Sequence, residues 1–311
     1  MALSAQAAGV IQAMGELGVP DFADCDVPTA RAVAEGFIQM QRPGADVADV
    51  VDVLIPGPGG DIPARVYVGQ NCANGPVIMY FHGGGWVVGN LGIVDQPCRD
   101  LANANAAVVV SVDYRLAPEH KFPAAPEDCY AATTWAAEHA AEFGGDASKL
   151  VVCGDSAGGN LSAVVSIMAR DNGGPQIAAQ WLIYPVTDAA PGTPFASYVE
   201  NASDYTLTAA SMNWFWEHYT STEADNANPL AAPLKAPSLA GLPPAFVAVA
   251  QYDPLRDEGI AFAEALKGAG GAVVLKNYDD QPHGFFWMSG AISEGYDALL
   301  ADMTAHGKDV L

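Results

Sequence analysis

Residues 150–160 read LVVCGDSAGGN, and the rest of the chain is organised around this stretch. The apolar run 150–153 is typical of a buried strand, and the alanine-rich residues after 160 are typical of a helix. A Gly-x-Ser-x-Gly pattern between them predicts a strained turn in which Gly154 and Gly158 let strand and helix approach closely. We interpret Ser156, exposed by that turn, as a nucleophile. Because glycine is common in this chain, a glycine-rich turn with an incidental serine is the alternative.

A second glycine-rich stretch, HGGGW at residues 82–86, follows strand-like residues. Its amides would lie at the carboxyl end of a strand, where open α/β sheets place ligands. Glycines let backbone N–H groups converge on one point without obstruction by Cβ atoms. We predict that the amides of Gly83, Gly84 and Ala157 form an oxyanion hole. His82 is interpreted as structural, because a histidine fixed beside this loop is poorly placed to act as the general base.

Five motifs together resemble the hormone-sensitive-lipase-like α/β-hydrolases, which are also called bacterial family IV esterases. They occur in the family's order and are HGGGW (82–86), DYRLAPEH with FPAA (113–125), GDSAGGN (154–160), DPLRD (253–257) and PHGF (282–285). The aspartate before the serine resembles the branch that carries GDSAG. The resemblance implies an α/β-hydrolase fold with a helical cap. It also implies hydrolysis of carboxylic esters of short to medium acyl chains, without a metal or cofactor.

Short apolar runs that alternate with helical stretches predict the fold class. The predicted strands are 47–55, 62–68, 77–81, 107–112, 150–153, 181–184, 246–250 and 273–275. The first two flank the turn PGPGG (56–60) and are predicted to form an antiparallel hairpin. Continuous apolar strands between helices are typical of a parallel sheet that is covered on both faces. We therefore predict an α/β fold with a mostly parallel central sheet and helices on both faces.

Two stretches depart from this alternation. Residues 1–45 have the spacing of amphipathic helices, and residues 190–240 contain many Pro, Ser, Thr and large apolar residues. Periodicity alone supports helices packed on the domain. The resemblance implies that both stretches form a cap over the active site. We predict cap helices at 1–45, a catalytic domain formed by 46–189 and 241–311, and a cap insertion at 190–240.

The general base and its acid must follow the nucleophile if the chain keeps the hydrolase order of serine, acid, histidine. Asp253 and His283 each follow a predicted strand, so both are expected at the same sheet edge as Ser156. A histidine there takes the serine proton while the aspartate fixes its tautomer. Asp257 is the rival acid, but it is better placed to begin the next helix, and the resemblance assigns the role to Asp253.

Aromatic side chains are candidates for the substrate pocket, because clefts that bind apolar ligands are lined in this way. We predict substrate contacts for Trp86, Tyr205, Trp214 and Phe285. For the aromatic cluster of 205–219, packing within a helix explains the spacing equally well.

The polar loop 113–125 is punctuated by prolines. Arg115 and Glu119 in this loop are candidates for a buried ion pair. We interpret the loop as a structural brace for the site and not as a source of catalytic groups.

Composition limits the partners of the protein. With 36 acidic and 13 basic residues, the formal net charge is −23, and such a surface repels nucleic acid and anionic membranes. The five cysteines are odd in number and lack a Cys-x-x-Cys pair, which predicts reduced thiols and no zinc site. We expect a cytoplasmic protein that binds a small-molecule ester, with no metal, no nucleic acid and no stable membrane association. A homodimer is left open.

The predicted function is a serine carboxylesterase that works through the triad of Ser156, His283 and Asp253 and an acyl-enzyme intermediate. An amide or formamide hydrolase with the same triad is the main alternative. A lipase is disfavoured by the acidic surface. A non-catalytic binding protein is disfavoured because His283 stands in its motif.

Overall fold

The structure is a computed structural model that describes residues 2–188 and 195–311. Every predicted strand is present and overlaps one strand of a single sheet. The strands are β1 (Asp49–Gly57), β2 (Gly60–Val68), β3 (Gly75–Phe81), β4 (Val108–Val112), β5 (Gly145–Asp155), β6 (Ala179–Ile183), β7 (Ala245–Tyr252) and β8 (Val273–Pro282).

The sheet has the order β1-β2-β4-β3-β5-β6-β7-β8. Strands β1 and β2 form the predicted antiparallel hairpin, and β2 also pairs with β4 in antiparallel fashion. All pairings from β4 to β8 are parallel. The carboxyl ends of β3, β5, β7 and β8 therefore meet at one edge, which is where the motif loops begin.

Within the described residues, α-helices occupy ten segments. They are α1 (Ala5–Glu16), α2 (Val27–Gly36), α3 (Asp95–Ala104), α4 (Ala124–His139), α5 (Ala157–Asn172), α6 (Ser197–Glu200), α7 (Ala209–Tyr219), α8 (Glu223–Asn226), α9 (Arg256–Gly268) and α10 (Ser293–Val310). Short 3₁₀ helices span Phe22–Asp24, Phe37–Met40, Ala140–Phe143, Pro233–Lys235 and Phe285–Trp287. No helix in the part of the chain that the structure describes combines the length and apolar content needed to cross a bilayer.

Helices cover both faces of the sheet. Successive residues of a strand point to opposite faces, yet every residue of β4 and β6 is buried. Helix α4 packs against α5, and α3 packs against α10. The predicted α/β class, with a mostly parallel sheet between two helical layers, is confirmed.

Two parts of the chain lie outside the sheet and its helical layers, and we name them the N-terminal segment (residues 2–45) and the inserted segment (residues 195–240). They contact each other directly. The rings of Phe22 and Phe215 lie 5.3 Å apart between centroids, and the Ser211 hydroxyl donates to Asp21 Oδ1 at 2.6 Å. The predicted boundary between residues 189 and 190 lies outside the described residues.

Polar N-cap residues begin the helices of these two segments. Ser4 accepts a hydrogen bond from the amide of Ala7, and Asp26 accepts one from the amide of Thr29. Thr208 caps α7 in the same way. Each such side chain satisfies a backbone donor that the helix leaves without a partner, which is worth about 1 kcal/mol.

Arg115 and Glu119, the two candidates for a buried ion pair, do not pair with each other. Arg115 forms a two-pronged pair with the buried carboxylate of Asp128 on α4, with both contacts at 2.8 Å. Glu119 pairs instead with Arg31 of α2 at 2.7 Å, and the hydrogen bond from Arg31 lowers the pKa of Glu119 to about 2. The loop 113–125 is therefore held by α4 on one side and by the N-terminal segment on the other.

Candidate active site

Ser156 lies in a sharp turn between β5 and α5. Its backbone has φ 55° and ψ −118°, a region that non-glycine residues avoid because of steric strain. The close approach of strand and helix explains the neighbouring glycines. A Cβ atom on Gly158 would lie 1.8 Å from the Phe81 carbonyl oxygen, and one on Gly154 would lie 2.4 Å from the backbone of Gly158.

A continuous hydrogen-bonded chain joins Ser156, His283 and Asp253. His283 Nε2 lies 3.0 Å from Ser156 Oγ, and His283 Nδ1 lies 2.7 Å from Asp253 Oδ2. The second carboxylate oxygen of Asp253 accepts from the amide of Leu255 at 2.8 Å. All three side chains of the chain are buried, with Ser156 and His283 retaining slight exposure. The carboxylate therefore fixes Nδ1 as a donor and leaves Nε2 to accept from the serine.

The inserted segment holds both loops of this chain in place. Asn201 donates to the Asp253 carbonyl at 3.0 Å, and the Ser197 hydroxyl donates to the Pro254 carbonyl at 2.6 Å. Thr206 donates to the His283 carbonyl at 2.6 Å. Sequence reasoning did not single out these three positions, because no motif surrounds them and their partners lie 52 to 77 residues away in the chain.

Asp257 does not contact His283. Its carboxylate accepts from the amide of Ser197 at 2.9 Å and pairs with Arg256 at 2.8 Å. It lies in the first turn of α9, where an acidic side chain is favoured by the helix dipole. The structure therefore places the rival acid in a structural role.

Gly83, predicted in the oxyanion hole, is engaged elsewhere, because its amide donates to Asp155 Oδ1 at 3.0 Å. Gly84 and Gly85 line the cavity beside Ser156 and have positive φ values of 105° and 57°. Across residues 2–188 and 195–311, no hydrogen bond engages the amides of Gly84, Gly85 or Ala157. Among the three glycines of this loop, Gly83 is therefore the one whose amide already has an acceptor in the described residues. Three consecutive glycines look alike in sequence, so only the partner of each amide distinguishes them.

Asp155 is the residue that ties the glycine loop to the serine turn. It is buried, and its Oδ1 atom accepts from the Tyr80 hydroxyl at 2.6 Å as well as from Gly83. Burial raises the pKa of Asp155 to about 6. The sequence indicated Asp155 only as a mark of the GDSAG branch.

His82 lies beneath the same loop. Its ring stacks on Tyr114 with centroids 4.4 Å apart, and its Nδ1–H donates to the Gly83 carbonyl at 2.7 Å. Burial lowers the pKa of His82 to about 4, so the ring stays neutral. These contacts agree with a structural role for His82.

A small apolar cavity of about 50 Å³, which we name the inner pocket, opens at Ser156. Its walls come from both segments outside the sheet and from the loops that carry the glycines and His283. The lining residues are Phe22, Phe37, Gly84, Gly85, Val88, Asp155, Ser156, Thr206, Leu207, Met212, Phe215, His283, Gly284 and Trp287. Within the described residues, no group of three His, Cys, Asp or Glu side chains has an arrangement suited to a metal ion.

None of the four aromatic residues predicted to contact substrate belongs to this lining. Trp86 is fully buried and stacks on Tyr219 at 4.0 Å, and Phe285 is buried against Tyr184. Trp214 packs beside Phe215 on the outer side of α7, and Tyr205 packs on Tyr252. The alternative of packing within a helix applies to much of this cluster. Met212 and Phe215 are the α7 residues that line the pocket. Helical spacing puts both on one face of α7, but the sequence does not show which face lies toward Ser156.

Comparisons with known proteins identify the family. A protein-family model described as "alpha/beta hydrolase fold" matches residues 78–287. Carboxylic ester hydrolase LipN of Mycobacterium tuberculosis is 44% identical over 293 residues, which cover 91% of this chain and 77% of LipN. Carboxylesterase NlhH of the same organism is 46% identical over 72% of this chain and 71% of NlhH.

A solved structure gives the same result. A hyperthermophilic esterase from the archaeon Pyrobaculum calidifontis superposes with a TM-score of 0.93 at 43% identity, and the match covers 99% of each chain. The sheet topology, the sequence relatives and the solved structure all indicate the same family. The chain belongs to the α/β-hydrolase family as a carboxylic ester hydrolase of the group that resembles hormone-sensitive lipase.

Proposed function

We propose that the protein hydrolyses carboxylic esters with Ser156 as nucleophile, His283 as general base and acid, and Asp253 as the group that orients the histidine. The observation that supports this most strongly is the hydrogen-bonded chain from Asp253 through His283 to Ser156, which ends at an apolar pocket. Each contact lies within the range expected for proton transfer.

In the first half-reaction, Ser156 Oγ attacks the ester carbonyl carbon while its proton passes to His283 Nε2. The new Oγ–C bond forms as the carbonyl π electrons move to oxygen, and Asp253 stabilises the imidazolium. The oxyanion then reforms the carbonyl, the C–O bond to the alcohol breaks, and the Nε2 proton goes to the departing oxygen. The product is an acyl-enzyme on Ser156.

In the second half-reaction, water takes the place of the alcohol. His283 removes a proton from the water as the oxygen attacks the acyl carbon, and collapse of the intermediate returns that proton to Ser156 Oγ. The carboxylic acid leaves, and the enzyme regains its starting state. Every proton in the cycle moves through His283, and the cycle uses only groups of this chain and water.

We place the oxyanion hole at the amides of Gly84, Gly85 and Ala157, which face the inner pocket or follow Ser156 directly. Their freedom from other acceptors supports this assignment over one that includes Gly83. Such donors are aimed in advance at the charge that develops, and the loss of one donor typically costs about 2.7–4 kcal/mol of barrier.

The N-terminal and inserted segments form the cap in this proposal, because both supply walls of the inner pocket. A pocket of about 50 Å³ has room for roughly four water-sized groups. We therefore propose esters of short acyl chains as substrates. All five cysteines carry free thiols, which supports the expectation of a reducing, cytoplasmic environment.

Hydrolysis of p-nitrophenyl esters from acetate to palmitate, by the wild type and by Ser156→Ala, tests the proposal. We expect the wild type to hydrolyse the short esters and the variant to lose activity by about 10⁶-fold, since removal of a triad serine has effects of this order. Equal rates for the two proteins would contradict it. A matched anilide, such as p-nitroacetanilide, distinguishes the amidase alternative, which requires that the amide be cleaved with comparable efficiency.

A further inference from the structure

A second cavity lies beside the inner pocket, and we name it the outer cavity. It is larger, at about 230 Å³, and its residues come from the N-terminal segment and from the start of the inserted segment. The lining residues are Ile11, Met14, Gly15, Val19, Pro20, Asp21, Phe22, Val33, Phe37, Asp204, Tyr205, Thr206 and Ser211. No step of the proposed mechanism uses this space.

The two cavities share three lining residues, Phe22, Phe37 and Thr206. A residue that lines both spaces lies between them, and we name these three side chains the doorway. A substrate that reaches from Ser156 to the outer cavity would pass them.

Two of the three doorway residues contact the segment that carries His283. Thr206 donates to the His283 carbonyl at 2.6 Å. The ring of Phe37 packs edge-on against Trp287, four residues after His283, with centroids 5.9 Å apart. Phe22, the third doorway residue, packs on Phe215 of α7 with ring centroids 5.3 Å apart.

The wall of the inner pocket formed by α7 and the glycine loop is tightly packed. Phe215 presses against the glycine loop so tightly that a Cβ atom on Gly85 would lie 2.1 Å from its ring. Val88 and Met212 line the same pocket. A chain that extends toward this wall meets buried side chains, and the volume allows only a few atoms.

The positions of these side chains indicate which cavity each half of an ester would occupy. The leaving alcohol receives its proton from His283 Nε2, so its oxygen must face His283 in any productive complex. We propose that the outer cavity binds the alcohol half of the substrate and that the acyl half is confined to the inner pocket. The enzyme is then selective for short acyl groups and accepts large alcohols. This inference rests on the proposed function.

The chemistry of the outer cavity narrows the class of alcohol. Ile11, Met14 and Val33 provide apolar surface, whereas Asp21 and Asp204 are the charged groups among its described lining residues. Because both charges are negative, an anionic alcohol is repelled. The space of about 230 Å³ has room for roughly fifteen to twenty water-sized groups. Uncharged alkyl or aryl alcohols are the expected occupants.

Two series of esters distinguish the binding of the acyl half from the binding of the alcohol half. In one series the acyl chain of a p-nitrophenyl ester grows from acetate to decanoate. In the other the alcohol of an acetate ester grows from methanol to hexanol. We expect kcat/KM to fall by about tenfold or more along the first series and to stay level or rise along the second, because pocket fit changes specificity by such factors.

A variant that fills the outer cavity tests the site itself. Met14→Trp is expected to lower the ratio of kcat/KM for hexyl acetate over methyl acetate by about tenfold. Leu17→Trp, near the same helix end but 78% exposed and outside the lining, is the matched control and should keep the wild-type ratio. Val33→Phe fills the same cavity from α2, so it provides an independent test if Met14→Trp fails to fold.

The opposite result would overturn the inference. If hexyl acetate were hydrolysed worse than methyl acetate while p-nitrophenyl decanoate matched the acetate, the acyl chain would occupy the outer cavity. An unchanged ratio in both cavity-filling variants would show that neither half binds there. These results leave ester hydrolysis intact, whereas failure of the proposed function appears separately, as activity on p-nitrophenyl acetate that survives in Ser156→Ala.

Discussion

The floor of the active site is made by turns at the ends of β3, β5, β7 and β8, whereas its walls come from the N-terminal and inserted segments. In the floor, backbone approaches of 1.8 to 2.5 Å to a hypothetical Cβ atom dictate glycine at positions 154 and 158. In the walls, residues such as Met212 and Phe215 need only be apolar and of suitable size. In the proposed mechanism, the floor supplies the catalytic groups and the walls select the ester.

The largest effect is expected from a change in the floor. Asp253→Asn should lower kcat by about 10⁴-fold, because the amide stabilises the wrong histidine tautomer and cannot stabilise the imidazolium. Asp257→Asn is the control, since Asp257 contacts Ser197 and Arg256 but not His283. Steady-state kinetics with p-nitrophenyl acetate measure both. Similar losses in the two variants would contradict the assignment of Asp253.

A second floor variant tests how the glycine loop is held. Asp155→Ala removes the acceptor of the Gly83 amide, so the neighbouring amides lose their alignment and kcat should fall by about 10²-fold. Asp155→Asn keeps an acceptor oxygen and should retain more activity.

Tyr80→Phe is the matched control for this prediction. It removes the other hydrogen bond to the same oxygen but leaves the bond from Gly83. We expect a smaller loss of kcat than for Asp155→Ala. Equal losses would mean that Asp155 acts through the packing of β3 and not through the glycine loop.

A wall variant should change selectivity more than rate. Phe215→Ala opens the tightly packed wall of the inner pocket and is expected to raise the ratio of kcat/KM for p-nitrophenyl octanoate over acetate by about tenfold. Its folded state should lose about 3 kcal/mol or more, as buried Phe→Ala changes usually do. The kinetics are therefore best measured well below Tm.

Trp214→Ala is the control for the pocket wall, because Trp214 adjoins Phe215 but does not line the pocket. An unchanged octanoate-to-acetate ratio is expected. If Trp214→Ala shifted the ratio as far as Phe215→Ala, the original prediction of a substrate contact for Trp214 would stand.

The smallest effect concerns the attachment of the walls to the floor. Arg31 holds the pKa of Glu119 at about 2, below its ordinary 4.5, so the pair stabilises the fold fully above pH 4.5 and ceases to do so as pH falls through 2. Since Glu119 is 53% exposed, Glu119→Gln, which leaves the other hydrogen bonds of Arg31 in place, should cost no more than about 1 kcal/mol at pH 7. Urea unfolding at pH 7 and pH 2 measures this, and a cost that persists undiminished at pH 2 would exclude the ion pair as its cause.

The sequence predicted the sheet well because each strand contains a short run of apolar residues, which is a local signal. It also predicted that Ser156, Asp253 and His283 follow strands, and the structure brings them within hydrogen-bond distance. Whether they perform the proposed chemistry stays a prediction until the variants are measured.

Other features depend on contacts that no local pattern carries. Arg115 has several acidic residues close in sequence, and the choice of Asp128 follows from the position of α4. Gly83 and Gly85 are distinguished only by whether the amide already has a hydrogen-bond acceptor. The pocket lining is drawn from six separate stretches of the chain, so aromatic content alone led to side chains that pack elsewhere, such as Trp86.

The inserted segment carries two sets of residues with different roles, one that holds the catalytic loops and one that shapes the pocket. Ser197, Asn201 and Thr206 hold the loops of Asp253 and His283, whereas Leu207, Met212 and Phe215 follow in the same segment and shape the pocket. New substrate preferences are therefore most accessible through substitutions at 207, 212 and 215, with 197, 201 and 206 retained. A mutational library confined to the first set should diversify the enzyme's preferences without loss of its catalytic competence.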